Sequence, residues 1–233
     1  MAGDPHAHMA LMDQVYRRQR HFYDLTRRYY LVGRDRLIRG LALKPGETAI
    51  EVGCGTARNL IAIATRYPGV RLFGLDASAL MLETAANAVV CARFSERVEL
   101  AQSYAELLSP ETFRGARKFD RVIFSYSLSM IPDWRRALAA AEHALAPAGQ
   151  LHIVDFGDFS GFPRVLGSAL RLWLRQFHVQ PRGEILRALE SSPRNAGDTL
   201  WIAPGRYAFL SSAATLSGQL TNVAGPPQAA GNS

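Results

Sequence analysis

The run from Thr48 to Asn59, Thr-Ala-Ile-Glu-Val-Gly-Cys-Gly-Thr-Ala-Arg-Asn, constrains the fold more than any other stretch of this chain. Ala49, Ile50 and Val52 read as a short buried strand, Gly53-Cys54-Gly55 as a tight turn, and Asn59 to Arg66 as the helix that follows. Strand, glycine loop and helix in that order open a nucleotide-binding α/β unit. Glycine lets the backbone take angles that other residues avoid and lets it approach a ligand closely. The helix start adds free N–H groups and a partial positive charge. A dinucleotide site asks for G-x-G-x-x-G. Counted from Gly53, the third glycine position holds Arg58, so that pattern fails.

Glu51, two residues before the first glycine, suits a cationic ligand that needs a carboxylate near its amino group. S-adenosyl-L-methionine is such a ligand. The run resembles the first motif of class I methyltransferases, acidic-x-G-x-G-x-G: Gly53 and Gly55 match, and Ala57 stands where the third glycine often sits. Asp76 ends a second strand, 21 residues beyond Gly55, near the spacing at which an acid reaches ribose hydroxyls. Alternatively it caps the next helix. Ala77 and Met81 are placed to pack on adenine, although a methionine on a helix is more often simple core. Where the family often has Gly-Asp-Ala after strand three, this chain has Ser103-Tyr104-Ala105. Tyr104 has no carboxylate, so adenine contacts there reduce to stacking and backbone. Cys54 completes the loop, and Ser125-Tyr126-Ser127 lines the place where the methyl group emerges.

Strands and helices alternate through the chain. Strands are expected at 71–76, 98–102, 119–125 and 151–156, with helices at 78–90, 132–145 and 161–178. Asp198 to Ala203 and Arg206 to Leu210 flank Pro204-Gly205 and read as a closing antiparallel hairpin. This pattern argues an α/β fold with a doubly wound, mostly parallel sheet. Residues 1–40 read as a basic helical lid, 41–216 as the catalytic domain, and 217–233 as a disordered tail.

Charge narrows the partners. The 233 residues carry a formal net charge of +7, which points to an anionic partner, nucleic acid or an acidic membrane surface. Between Arg17 and Arg39 only Asp24 and Asp35 oppose the arginines. Cys54 and Cys91 form no framework and read as free thiols. No apolar run approaches the roughly 20 residues of a membrane-crossing helix, and acidic residues near the start argue against a secretory signal. The expected location is cytoplasmic, peripheral to the membrane. In the 161–178 helix, Leu166, Leu170, Trp173 and Phe177 share one stripe and Arg164, Arg171 and Arg175 the opposite one. Such a helix suits a membrane interface, or else packs on the sheet with a solvated basic face.

Several longer runs carry a sharper resemblance: Tyr16-Arg17-Arg18-Gln19-Arg20-His21, Tyr23-Asp24-Leu25-Thr26-Arg27, Ser127-Leu128-Ser129-Met130-Ile131-Pro132-Asp133-Trp134, Leu151-His152-Ile153-Val154-Asp155-Phe156-Gly157 and Phe177-His178-Val179-Gln180-Pro181-Arg182. They resemble bacterial betaine-lipid N-methyltransferases across about residues 10 to 182. The resemblance implies three methylations of diacylglyceryl-homoserine, giving diacylglyceryl-N,N,N-trimethylhomoserine. It also implies a partner enzyme that builds the homoserine head group, an aminocarboxypropyl transferase. Phosphatidylethanolamine N-methylation, quinone C-methylation and RNA methylation are the rival activities, with no nucleic acid expected. Tyr16, Tyr23 and Tyr30 recur every seven residues and offer aromatic faces to an ammonium, or simply pack. Tyr23 resembles a lid residue. Arg182 suits a carboxylate, and His178 or Tyr126 suits the amine proton; His178 equally suits a helix end.

Overall fold

The structure, a computed structural model, describes residues 31–177, 179–191 and 195–214. Tyr16, Tyr23, Tyr30, His178, residues 1–30 of the expected helical lid and the tail from 217 lie outside the described residues.

Among the described residues seven strands form one sheet, ordered β3-β2-β1-β4-β5-β7-β6. They are β1 (Thr48–Val52), β2 (Arg71–Asp76), β3 (Val98–Gln102), β4 (Phe119–Ser125), β5 (Leu145–Phe156), β6 (Thr199–Ile202) and β7 (Ala208–Ala213). The first five run parallel, and β7 enters antiparallel between β5 and β6. Parallel neighbours need crossovers, which the helices supply. The helices are α1 (Arg34–Gly40), α2 (Arg58–Arg66), α3 (Ala79–Cys91), α4 (Trp134–Ala144), α5 (Arg164–Arg175) and α6 (Gly183–Ser191). The expected doubly wound sheet with its closing hairpin is the observed one.

Alternation along the strands divides the core in two. Ile50, Val52, Phe73, Val122 and Phe124 face one layer, with Leu138 of α4 and Ile185, Leu186 and Leu189 of α6. Ala49, Leu72, Ile123 and Val154 face the other, with Leu37 and Ile38 of α1, Ile63 of α2, Val89 of α3 and Leu174 of α5. Phe73, Phe113 and Phe119 pack edge to face in the first layer, with centroids 5.1 to 6.1 Å apart, a favoured arrangement of aromatic quadrupoles. α3 starts as expected at Ser78, whose hydroxyl accepts from the Met81 amide.

Two elements depart from expectation. β5 begins at Leu145, six residues before the anticipated Leu151. Pairing runs from Phe119↔Leu145 directly to Arg121↔Gln150, so residues 146–149 form an irregularity that accommodates Pro147. α6 occupies a stretch expected to be broken by proline. Ile185, Leu186 and Leu189 repeat at helical spacing there and are buried.

Candidate active site

Ligands in open α/β sheets bind beyond the C-terminal strand ends. Here those ends bring together the Gly loop after β1, Asp76 after β2, Tyr104 after β3, and Ser125-Tyr126-Ser127 after β4.

The loop is fastened to β2. The Gly53 and Cys54 amides both donate to the Leu75 carbonyl, at 2.7 and 3.0 Å. The Gly55 amide donates to Asp76 Oδ2 at 2.8 Å, and the Ser78 amide to Asp76 Oδ1 at 2.9 Å. The three amides of the turn are thus committed within the protein. What the loop offers is bare backbone. Gly53 sits at φ +76°, and a Cβ there would lie 2.6 Å from Ser127 Cβ. The space a Cβ would need is filled by Ser127, so glycine here lets the segment after β4 pack directly on the turn. Ala57, the departure from the third glycine, adopts the left-handed region at φ 61°. The position keeps the glycine conformation without the glycine.

Glu51 is buried in β1, and its Oε1 accepts from Asn59 Nδ2 at 2.6 Å. Asp76 is buried; it accepts from the Ser78 amide at the start of the next helix, in keeping with the capping alternative, and also from the Gly55 amide of the loop. The Cys54 thiol turns inward toward Gly74 and Leu60. Burial, then the charges of Asp76 and Glu51, push its pKa well up, so the thiol is an inert core group. Ala77 is partly exposed and accepts from Gln102 through its carbonyl. Met81 is buried with Leu80 and Met130, so it belongs to a small apolar cluster beside Asp76. Tyr104 is partly exposed and precedes a short 3-10 turn. Ser125 is buried, and its hydroxyl has no hydrogen-bond partner among the described residues.

Tyr126 needs correction as a proton acceptor. It sits at φ 58°, is almost fully buried, and its hydroxyl donates to the Val32 carbonyl. Burial and then the Asp155 charge raise its pKa well above the ordinary tyrosine value. Its role is to fix the segment before α1 over the end of β4. Phe156 meets its ring edge to face at 4.7 Å.

Beside Tyr126 the structure opens a cavity of about 370 Å³, lined by Val32, Gly33, Arg34, Arg36, Arg39 and Trp201 among others. Gly33 lies flat on the Trp201 indole; a Cβ there would come within 2.9 Å of the ring. The Arg36 guanidinium stands over the same ring at 5.2 Å. Arg34 is mostly enclosed, pairs with Asp35 at 3.6 Å, and has a buried Nε with no hydrogen-bond partner among the described residues. From the sequence, these arginines read only as charge for an anionic partner, nucleic acid or a membrane surface. Trp201, 165 residues beyond Arg36, carried no signal that it would join them.

Arg182 belongs to the other layer. Its Nη2 donates to the Ile131 carbonyl at 3.0 Å, and it is half-buried. Nearby, Asp155 accepts from the Ser129 and Phe156 amides at 3.0 and 2.7 Å. Burial raises Asp155 to about 6, against those bonds and the Arg182 charge. This cluster holds the loop after β4 in place. Sequence reasoning passed over Asp155, although an acid within an apolar strand is a signal of such a role.

Comparison with known proteins agrees with this architecture. Residues 50–151 match the family model of a methyltransferase domain. Fold, glycine loop and family match are together similar to those of S-adenosylmethionine-dependent methyltransferases, and they support an enzyme. It is 28% identical over 193 residues to the ubiquinone/menaquinone biosynthesis C-methyltransferase UbiE of Syntrophotalea carbinolica, covering 81% of this chain and 77% of that one. A SAM-dependent methyltransferase from Aquifex aeolicus superposes with a TM-score of 0.57 at 17% identity, over 90% of this chain and 97% of that chain. A phosphoethanolamine N-methyltransferase of Haemonchus contortus, in complex with S-adenosylhomocysteine, superposes with a TM-score of 0.57 at 18% identity, over 72% of this chain and 38% of that one. At those identities the two structures share the fold.

Proposed function

We propose that the protein is an N-methyltransferase of a lipid amine, converting diacylglyceryl-homoserine by three methylations to diacylglyceryl-N,N,N-trimethylhomoserine. The observation that carries this reading is the arginine-lined cavity beside Tyr126, with the buried Nε of Arg34, which has no hydrogen-bond partner among the described residues, and the indole of Trp201. A homoserine head group brings a carboxylate and an ammonium that gains methyl groups. An arginine fork suits the first, and an aromatic face suits the second. A quinone ring presents neither. The motif runs around Ser127–Trp134 and Leu151–Gly157 support the same substrate.

S-adenosylmethionine would supply the methyl group from its sulfonium: the amine lone pair, held in line, would bond to that carbon as the C–S bond breaks, S-adenosylhomocysteine would leave, and the amine proton would pass to a base. Asp76 faces the ribose hydroxyls in this scheme, while its bonds to the Gly55 and Ser78 amides fix the carboxylate. Gly53 and Gly55 give close contact, and Glu51 and Asn59 set the polar end of the site. Ala77, Met81 and Tyr104 border the adenine side. The buried Ser125 hydroxyl lies at the end of β4, where the acceptor arrives. Arg34 takes the carboxylate in this scheme in place of Arg182, whose guanidinium is bound to Ile131. His178, with Tyr23, Tyr16 and Tyr30, is kept as the proposed proton acceptor and aromatic cover.

Quinone C-methylation is the second reading, favoured by the UbiE relative. The test is expression, in a host without betaine lipid, together with an enzyme that makes the homoserine head group, followed by lipid mass spectrometry with a labelled methyl donor. Trimethylated homoserine lipid is the expected product. A methylated quinone, or phosphatidylcholine, without that product overturns the proposal. Arg34→Gln is expected to raise KM for the homoserine lipid about tenfold or more, with donor affinity unchanged.

A further inference from the structure

α5 presents a surface that the sequence pattern did not resolve. On a helical projection of about 100° per residue, Gly167, Leu170 and Leu174 point toward the sheet. Gly167 and Leu174 are buried, and Leu170 and Phe177 are partly buried against the same core layer. The inward side of the helix is therefore satisfied. Its outward side is apolar as well. Val165 is 84% exposed, Leu172 63%, Leu166 47% and Trp173 37%, and Ala169 lies exposed among them. Arg164 and Arg175 line one edge of this face, with Arg171 between them and the core. The Arg171 guanidinium reaches back to the Asp158 carbonyl at 3.2 Å and stiffens the helix on its base. From Gly161 to Phe177 the chain has no acidic residue.

An outward apolar face of this size on a short helix loses free energy in water, and surfaces of this kind mark interaction sites. The charge pattern selects the partner. A protein interface of ordinary composition would put some acid on the rim, whereas an exclusively cationic rim matches lipid phosphates. Among the described residues no helix is long and apolar enough to cross a membrane, so the face can serve only at an interface.

We propose that the outward face of α5 docks the enzyme on an anionic bilayer. Val165, Leu172 and Trp173 enter the acyl boundary, and Arg164 and Arg175 remain at the phosphates. The surface is argued from α5 alone; its purpose, access to a substrate that stays in the membrane, rests on the lipid reading above. Helix α5 follows β5, whose C-terminal end borders the site, so docking there sets the site near the lipid surface.

The test is co-sedimentation of the full chain with vesicles of equal parts phosphatidylcholine and phosphatidylglycerol, and with vesicles of phosphatidylcholine alone. The wild type is expected to bind the mixed vesicles and to bind neutral ones much more weakly. Val165→Asp/Leu172→Asp is expected to lose at least tenfold in partitioning, and Arg164→Gln/Arg175→Gln to lose severalfold, on anionic vesicles only. Both variants should keep the wild-type melting temperature and the wild-type rate on homoserine lipid in detergent micelles. Unchanged partitioning of the aspartate variant overturns the inference. So does a change in oligomeric state instead of partitioning, which would make the face a contact between copies. If α5-dependent binding is found but the homoserine lipid is not methylated in either form, the lipid-amine reading fails and the docking surface stands. If micellar substrate is methylated and no vesicle is bound, the reverse holds.

Discussion

Gly53 and Asp76 show how single positions carry the cofactor end of the fold. Adding a methyl group at Gly53 strains a φ of +76° and collides with Ser127 Cβ, so Gly53→Ala is expected to cost roughly 1–3 kcal/mol. Ser127→Gly in the same chain should return part of that loss, which thermal denaturation of the double variant measures. No recovery would mean that φ strain alone is at work. Asp76→Ala removes the acceptor from two backbone amides. It is expected to lower stability by about 2 kcal/mol and to weaken donor binding in calorimetry. An unchanged dissociation constant would refute the ribose role. The glycines and Asp76 were legible in the sequence because their geometry is local, one loop and one strand end. Arg34, Trp201 and Asp155 were not, because their surroundings form only when distant segments meet.

At the scale of elements, the loop after β5, helix α6 and the turn between β6 and β7 are joined by one side chain. Arg206 Nε and Nη2 donate to the two Asp158 oxygens at 2.9 and 3.0 Å, and Nη1 and Nη2 donate to Glu190 at 2.6 and 2.7 Å. Burial disfavours the Asp158 carboxylate, but the bonds from Arg206 and Ser160 prevail and hold it at about 2. Arg206→Lys keeps the charge and loses the double fork. The expected loss is roughly 1–3 kcal/mol by chemical denaturation, and a loss equal to that of Arg206→Ala would show that the geometry, not the charge, matters. Strands β1 to β4 were readable from apolar runs and flanking turns. β5 was read short because Pro147 and Gly149 look like a break, whereas the sheet absorbs them as an irregularity. α6 was missed because the proline before it outweighed three apolar residues at helical spacing.

Among the described residues, His152, Asp155 and Asp158 shape the response to acid, joined by Glu190, whose carboxyl the bonds from Arg206 hold below its ordinary value. Burial, then the Arg121 charge, lowers His152 to about 3, so its contribution is lost as pH falls from about 6.5. Asp155 has the opposite sign. Raised to about 6 from 3.8, it stabilises the fold as pH falls through about 6 toward 4 and destabilises it again above. Asp158 contributes above about 4 and is lost toward 2. The expected profile is nearly flat between about pH 6 and 4, where the first two cancel, and falls steeply below about 4. In Asp155→Asn the decline should begin near pH 6.5; a flat stretch retained in that variant would exclude the cancellation. The Gly loop has a consequence of a different kind. Its three turn amides are bonded to β2 before any donor arrives. The ordering entropy of the loop is therefore lost when the chain folds, and little remains to be lost on binding. In the free enzyme the amide hydrogens of Gly53, Cys54 and Gly55 should exchange with deuterium as slowly as those of the adjacent strands, a rate unusual for a ligand-binding loop.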